Sequence, residues 1–164
     1  DRSAPIIIAE LVKIQSRLYG DTSYEAFHAS IQLADWYLWR DQRRNASDLY
    51  RQIDTVIGEL PDPEQASALR AELFQDPVLL PDLGGLRLIA PSVPKEEGNL
   101  SITFNVTDRG SVRSVERVRV DESIELSASR FIRQLRRAKF RPRVVAGETV
   151  TTEKMEQTYV LPQS

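Results

Sequence analysis

The side chains that enzymes most often use for catalysis are scarce in this sequence. His28 is the only histidine, it lies between Phe27 and Ala29 in a segment predicted to be helical, and the chain has no cysteine. Histidine is the commonest general base and cysteine the most reactive nucleophile at neutral pH. We therefore interpret His28 as a structural residue and expect a protein that is not an enzyme.

Carboxylates are numerous, but their spacing does not indicate a metal site. Several fall on different faces of predicted helices, namely Glu10, Asp35, Asp41, Asp48 and Asp54. Hard cations need several oxygen ligands gathered around one point, and no glycine-rich loop precedes a helix as a phosphate site requires. We expect neither a bound metal nor any other cofactor.

Basic residues are concentrated between positions 130 and 143, where seven occur in fourteen positions with no acid among them. The candidate basic patch consists of Arg130, Arg133, Arg137 and Arg141. One interpretation is the solvated outer face of a packed helix, and another is a surface for an acidic protein or for peptidoglycan. Nucleic acid is the least favoured partner, since the formal net charge is -2, and we expect none.

Aromatic residues are densest at Trp36, Tyr37 and Trp39. Packing between helices is the commoner role of such a cluster. The alternative is a binding surface on the helices, with Trp36 and Trp39 as anchors.

The C-terminal third contains the clearest pattern of secondary structure. Apolar and polar residues alternate strictly over positions 100–107, and a β-branched run at 112–120 follows the turn residues at 108–111, which predicts a hairpin. An amphipathic helix over 124–135, with Ser123 as its N-cap, precedes two further extended segments around 144–145 and 149–161. We predict an α+β domain of order ββαββ with an antiparallel sheet.

Two short stretches here resemble the TonB C-terminal domain family. The first is Arg136-Arg137-Ala138-Lys139-Phe140-Arg141-Pro142 followed by Gly147-Glu148-Thr149-Val150, and the second is the alternating segment that begins at Gly98. The resemblance covers roughly residues 98–161. It implies a periplasmic protein whose last strand pairs with a short extended segment of an outer-membrane transporter.

The pattern of the first 75 residues predicts four helices. The first covers about 5–19, the second carries Phe27 and ends near Trp39, the third covers about 46–57 and the fourth covers 64–74. The spacing of Leu33, Ala34, Tyr37, Ala46 and Tyr50 resembles a tetratricopeptide repeat. We therefore predict antiparallel helical hairpins over residues 1–75, a linker over 76–97 and a TonB-like domain over 98–164. Apolar residues in the linker, such as Leu79, Leu80, Leu83, Leu86, Leu88 and Ile89, indicate docking on a domain surface; the alternative is disorder.

The last predicted strand is the candidate binding site, because an unpaired strand edge can accept an added strand. The candidate peptide-binding residues are Thr151, Thr152, Glu153, Lys154, Met155, Glu156, Gln157, Thr158, Tyr159 and Val160. Both faces of this strand are expected to be polar. Lys154 and Glu156 have a second interpretation, as charges that prevent aggregation.

Two functions therefore stay open. The first is energy transduction or a related interaction in the periplasm, by strand addition to a transporter peptide. The second is a scaffold in which the helical repeats bind a partner and the TonB-like domain serves for docking or dimerisation. The chain begins at Asp1 and contains no span-length apolar run, so any membrane anchor is expected in a preceding segment. Exchange of the last strand between two copies would give a homodimer.

Overall fold

The structure is a computed structural model that describes residues 4–20, 22–81, 89 and 91–163. Within these residues it contains α-helices and antiparallel strand pairs, which confirms the predicted α+β class. The chain divides into two compact units. We call Asp1–Asp76 together with Arg143–Val150 the helical unit, and Pro77–Pro142 together with Thr151–Ser164 the sheet unit.

The elements have the following bounds. The helices are α1 (Ala4–Tyr19), α2 (Tyr24–Trp39), α3 (Arg43–Gly58), α4 (Pro63–Phe74) and α5 (Glu125–Leu135). The strands are β1 (Val78–Leu79), β2 (Leu100–Val106), β3 (Val112–Val120), β4 (Phe140–Arg141), β5 (Arg143–Val145), β6 (Glu148–Val150) and β7 (Thr152–Tyr159). A single 3-10 turn, Glu122–Ile124, precedes α5.

The helices of the helical unit begin and end at residues suited to these positions. Gly20 takes a φ of 92° directly after α1, a conformation that glycine adopts without strain. The Ser23 hydroxyl caps α2 by accepting from the Ala26 amide at 3.1 Å, and Asp62 caps α4 ahead of Pro63. Local chemistry therefore sets the end of α1 and the beginnings of α2 and α4.

The core of the helical unit lies between α2, α3 and α4. Tyr50 of α3 is fully buried, and its ring meets Phe74 edge to face at a centroid distance of 6.2 Å. Its hydroxyl donates to Asp35 of α2 at 2.7 Å. A buried tyrosine needs such a partner for its hydroxyl, so this residue joins three helices by packing and one hydrogen bond.

Helix α1 departs from what its apolar stripe predicts. Ile7, Leu11, Ile14 and Leu18 share one face, as the spacing indicates, yet they are 65%, 38%, 43% and 68% exposed. The helix contacts α2 through a different side, on which Val12 and Ser16 line a cavity with Phe27. An amphipathic pattern fixes which residues share a face, but not what covers that face.

The hairpin formed by β5 and β6 belongs to the helical unit. Arg51 of α3 contacts Glu148 at 2.7 Å, and a Cβ added to Gly147, whose φ is 76°, would lie 2.9 Å from Cγ of Arg51. The sequence prediction assigns these residues to the C-terminal domain. Because the carboxylate and the glycine both fit against α3, the contacts place them with the helices instead.

A three-stranded antiparallel sheet of order β3-β2-β7 forms the sheet unit. One face of β2 is completely buried through Leu100, Ile102 and Phe104. These side chains share a core with α5, including Phe131 and Leu135. The apolar residues of the alternation in β2 and of the helical period in α5 therefore meet in one core.

The predicted linker contributes to this core. Leu79 of β1 pairs with Phe140 of β4, Leu80 is buried, and Ile89 packs partly buried against the core. These apolar side chains dock on the sheet unit, as the docking interpretation expects. Leu83, Leu86 and Leu88 lie outside the described residues.

The end of the chain contains more strands than the sequence predicts. Four strands follow α5, and the extended segment predicted over 149–161 is interrupted at Thr151. The interruption separates β6, which pairs with β5, from β7, which pairs with β2. Ser123 lies inside the 3-10 turn rather than at an N-cap.

Candidate peptide-binding edge

Strand β7 occupies one edge of the three-stranded sheet. Its partner is β2, with Leu100 opposite Tyr159 and Phe104 opposite Met155. Among the described residues no other strand pairs with β7, and its outer side meets only a single bridge from Val93 to Thr158. An edge with this arrangement offers backbone donors and acceptors to a further strand.

The direction of each backbone group in β7 follows from two hydrogen bonds. The Tyr159 carbonyl accepts from the Asn99 amide at 3.0 Å, whereas the Thr158 carbonyl accepts from the Val93 amide at 2.8 Å. Residues alternate in an antiparallel ladder, so Tyr159, Gln157 and Met155 turn their backbone groups towards β2. Glu156, like Thr158, turns its N–H and C=O outwards, which makes it the central residue of the open edge.

A bulge limits the regular part of this edge. The register shifts between Phe104 and Val106, and Lys154 has a φ of 51°. The Asn105 side chain compensates by accepting from the Lys154 amide at 2.9 Å. Bulges twist a strand and interrupt its ladder, so the regular edge runs from Met155 to Tyr159.

The segment before β2 holds the end of β7 in place. The Asn99 side chain donates to the Leu161 carbonyl and accepts from the Leu161 amide, both at 2.8 Å. A Cβ added to Gly98 would lie 2.1 Å from Cγ2 of Thr158, so this approach requires glycine. Both residues fix the last strand against β2.

Tyr159 anchors β7 to the core. Its ring is 2% exposed and lies 4.5 Å, centroid to centroid, from Phe131 of α5. Its hydroxyl donates to the side-chain oxygen of Gln157. Because the charged phenolate would lose its hydration here, burial raises the pKa of Tyr159 above its ordinary value of 10.0.

Charged side chains flank the open part of the edge. Lys95 and Glu156 form an ion pair at 2.8 Å, with side chains 64% and 44% exposed. Glu153 and Lys154 are exposed at the bulge. Exposed ion pairs contribute little to stability, so a bound strand could replace Lys95 at small cost.

The structure separates the ten predicted binding residues into groups. Thr151 lies outside the strand, where its hydroxyl accepts from the Asp108 amide at 3.1 Å, and Val160 lies beyond its end. The strand is not polar on both faces, because Met155 packs against the core and Thr158 and Tyr159 are buried. Exposed side chains within β7 are those of Glu153, Lys154 and Glu156.

The candidate basic patch is only partly assembled. Arg130, Arg133 and Arg137 are exposed on or just after α5, whereas Arg141 is only 7% exposed within β4. Arg133 also lines a cavity of about 310 Å³ between β3 and α5 with Arg117 and Arg136. Arg117 is committed to Glu125 and Ser129, which leaves a surface typical of a solvated helix face.

The candidate anchors on α2 are both half-buried. The rings of Trp36 and Tyr37 lie 5.4 Å apart, and the guanidinium of Arg40 lies 5.9 Å from the Trp36 ring. Trp39 is likewise neither in the core nor fully exposed. Both tryptophan side chains are therefore partly accessible, which the anchor role requires and the packing role permits.

His28 forms a surface cluster that links α2 to α4. Its Nε2 lies 3.1 Å from Oε1 of Glu72, and the Tyr24 hydroxyl donates to the same oxygen at 2.7 Å. The hydrogen bond to Glu72 raises the pKa of Tyr24. This arrangement explains His28 as a contact between helices, in line with a structural role.

Within the described part of the chain, no three His, Asp or Glu residues are grouped closely enough to hold a metal ion. No helix there is both long and apolar enough to cross a membrane. Comparison with known proteins finds no family model, no curated protein and no solved structure that matches this chain.

Sequence reasoning missed the residues that shape the edge from outside β7. They are Val93, Lys95, Gly98, Asn99 and Asn105. Asn105 could have been found, because an amide on the polar side of an alternating strand is suited to bond a neighbouring backbone. The bridge from Val93 depends on a tertiary approach that leaves no local pattern.

Proposed function

We propose that this protein is a non-enzymatic interaction module whose sheet unit binds an extended peptide by strand addition at β7. The observation that carries the proposal is the outward direction of the Glu156 N–H and C=O at an edge with one partner strand. Main-chain hydrogen bonds would supply the affinity and alternate side chains the specificity.

The resemblance of residues 98–161 to the TonB C-terminal domain family supports a particular partner. In that family the corresponding strand pairs with an extended segment of an outer-membrane transporter, in the periplasm. The absence of cysteine is compatible with that compartment. Energy transduction would further require an anchor in the inner membrane, supplied from outside this sequence.

The charges along the edge favour a basic residue in the peptide. A strand added to β7 would place one side chain directly beside Glu156, where Lys95 now lies. Cross-strand pairs of opposite charge are favourable. An extended peptide with lysine or arginine at that position should therefore bind more tightly than one with glutamate.

A pair of proline substitutions tests this proposal on the two edges of the sheet. Glu156→Pro removes an N–H that points away from the sheet, so peptide binding should be lost while the fold is kept. Arg117→Pro, in the opposite edge strand β3, is the matched control: Arg117 pairs with Ile102, whose backbone groups turn to β7, so the Arg117 N–H points away from the sheet, and this variant should bind as the wild type does. Calorimetric titration with a transporter-derived extended peptide measures both. Equal affinity of Glu156→Pro and the wild type would contradict strand addition at β7.

The scaffold function is the second candidate, and one observation favours it. A cavity of about 410 Å³ between the first three helices is lined by apolar side chains that include Val12, Phe27, Leu33 and Val56. Such a groove suits an apolar segment of a partner protein. Leu49→Lys, a change in the lining of this cavity, should weaken a partner held by the helices and leave a peptide held by β7 unaffected.

A further inference from the structure

Helix α1 carries an exposed apolar stripe that the rest of the described chain leaves uncovered. Ile7, Leu11, Ile14 and Leu18 are between 38% and 68% exposed, and Ile6 beside them is 70% exposed. Together they present a patch on the order of 500 Å², the size that marks interaction sites on soluble proteins. The stripe is thus a candidate interface of the helical unit.

The spacing of the stripe is that of a helix that pairs with another helix. The four residues follow one another at intervals of four, three and four, which corresponds to the d and a positions of successive heptads. Knobs at these positions interlock with a facing helix that repeats the same pattern. A second copy of α1 has that pattern by definition.

The charges beside the stripe distinguish between the two directions of pairing. Glu10 and Arg17 lie seven residues apart, on the same flank of the stripe, and both are exposed. Glu10 contacts Lys13 at 3.5 Å, a long distance for an ion pair. In an antiparallel pair, Glu10 of each copy faces Arg17 of the other. In a parallel pair the facing residue is Gln15, and no ion pair forms.

We propose that α1 is a homodimer interface in which two copies pack antiparallel through Ile7, Leu11, Ile14 and Leu18. A twofold axis relates the copies, so each ion pair between Glu10 and Arg17 occurs twice. This interface belongs to the helical unit and uses no residue of β7.

Sedimentation equilibrium of the wild type and of charge variants tests the interface. The wild type should dimerise reversibly. Glu10→Arg and Arg17→Glu should each raise the dissociation constant by about tenfold, since two attractive contacts become repulsive. An equimolar mixture of the two variants should recover the wild-type constant, because each copy then supplies the charge that its partner lacks. Glu97→Arg, an exposed charge reversal in the sheet unit, controls for net charge.

Leu11→Asp is the corresponding test of the apolar contact, with circular dichroism as the check on folding. It should give a monomer at every concentration. A monomeric wild type would overturn the proposal. A wild-type dimer that neither charge variant weakens, or a mixture that gains no stability over its components, would also overturn it and point to another surface, such as exchange of β7.

Discussion

The two edges of the three-stranded sheet are built in different ways. Strand β3 has two register shifts against β2, around Ser114 and Val118, and Ser114 has a φ of 51°. Most of its side chains are exposed, and four of them are charged. Strand β7 has one shift, at its beginning, and then five residues in regular register.

This contrast indicates which edge can accept a further strand. Bulges and charges are the usual means by which proteins keep an edge from pairing with other chains, and β3 has both along its length. On β7 these features are confined to the bulge at Lys154 and the ion pair at Glu156. The regular stretch from Met155 to Tyr159 keeps the geometry that strand addition needs.

The largest effect should come from Gln157→Pro. The Gln157 N–H faces β2, opposite Ile102, so proline removes a bond within the sheet and leaves a buried carbonyl without its donor. We expect a loss of about 3 kcal/mol or more in the free energy of unfolding of the sheet unit, measured by urea denaturation.

Glu156→Pro is the control for Gln157→Pro. The N–H of Glu156 points away from the sheet, so proline at this position should lower the free energy of unfolding clearly less. If both variants lose the same free energy, the assignment of inward and outward residues in β7 is wrong.

Asn99→Ala should have the next largest effect. It removes two hydrogen bonds of 2.8 Å to the backbone of Leu161, in a partly buried position. The expected loss is about 2 kcal/mol, together with faster amide exchange at the end of β7. Unchanged exchange at Leu161 would show that Asn99 does not hold the strand.

Tyr159→Phe should change how stability depends on pH. Because the folded protein raises the pKa of this phenol above 10.0, the neutral form stabilises the fold below pH 10, and this contribution is lost as the pH rises above it. The wild-type sheet unit should therefore become less stable above about pH 10. The free energy of unfolding of the phenylalanine variant should fall less over that pH interval. At neutral pH this variant should be about 1 kcal/mol less stable than the wild type, because it lacks the hydrogen bond of the hydroxyl.

The smallest effect should come from Arg117→Pro. Arg117 pairs with Ile102, whose backbone groups turn to β7, so its N–H points away from the sheet. Proline there removes no bond of the ladder and loses the exposed contacts of Arg117 with Glu125 and Ser129, so the free energy of unfolding should change by about 1 kcal/mol or less. A large loss in denaturation would mean that the outer side of β3 is paired.

Elements with a strong period could be predicted from the sequence. The alternation that begins at Leu100 and the stripe of α5 lead directly to the buried face of β2 and the helix that covers it. Caps such as Asp62 set helix boundaries by local chemistry. In these segments the local pattern and the tertiary environment agree.

The sequence could predict where the candidate site lies in the chain, but not which backbone groups point out of the sheet. The sequence places a strand at the end of the chain, but the direction of the Glu156 backbone depends on the register with β2, which the Lys154 bulge alters. The burial of Arg141 and the exposure of Leu11 likewise depend on which surfaces meet. Such contacts join residues distant in sequence, so no local pattern contains them.

The most direct test follows the backbone amide of Glu156 by NMR while an extended peptide from the periplasmic N-terminus of an outer-membrane transporter is added. Strand addition at β7 predicts saturable shifts centred on Glu156 and its neighbours in β7, slower solvent exchange of that amide, and no change along β3. Saturable shifts confined to α1, α2 and α3, with β7 unaffected, would contradict strand addition and favour binding by the helices.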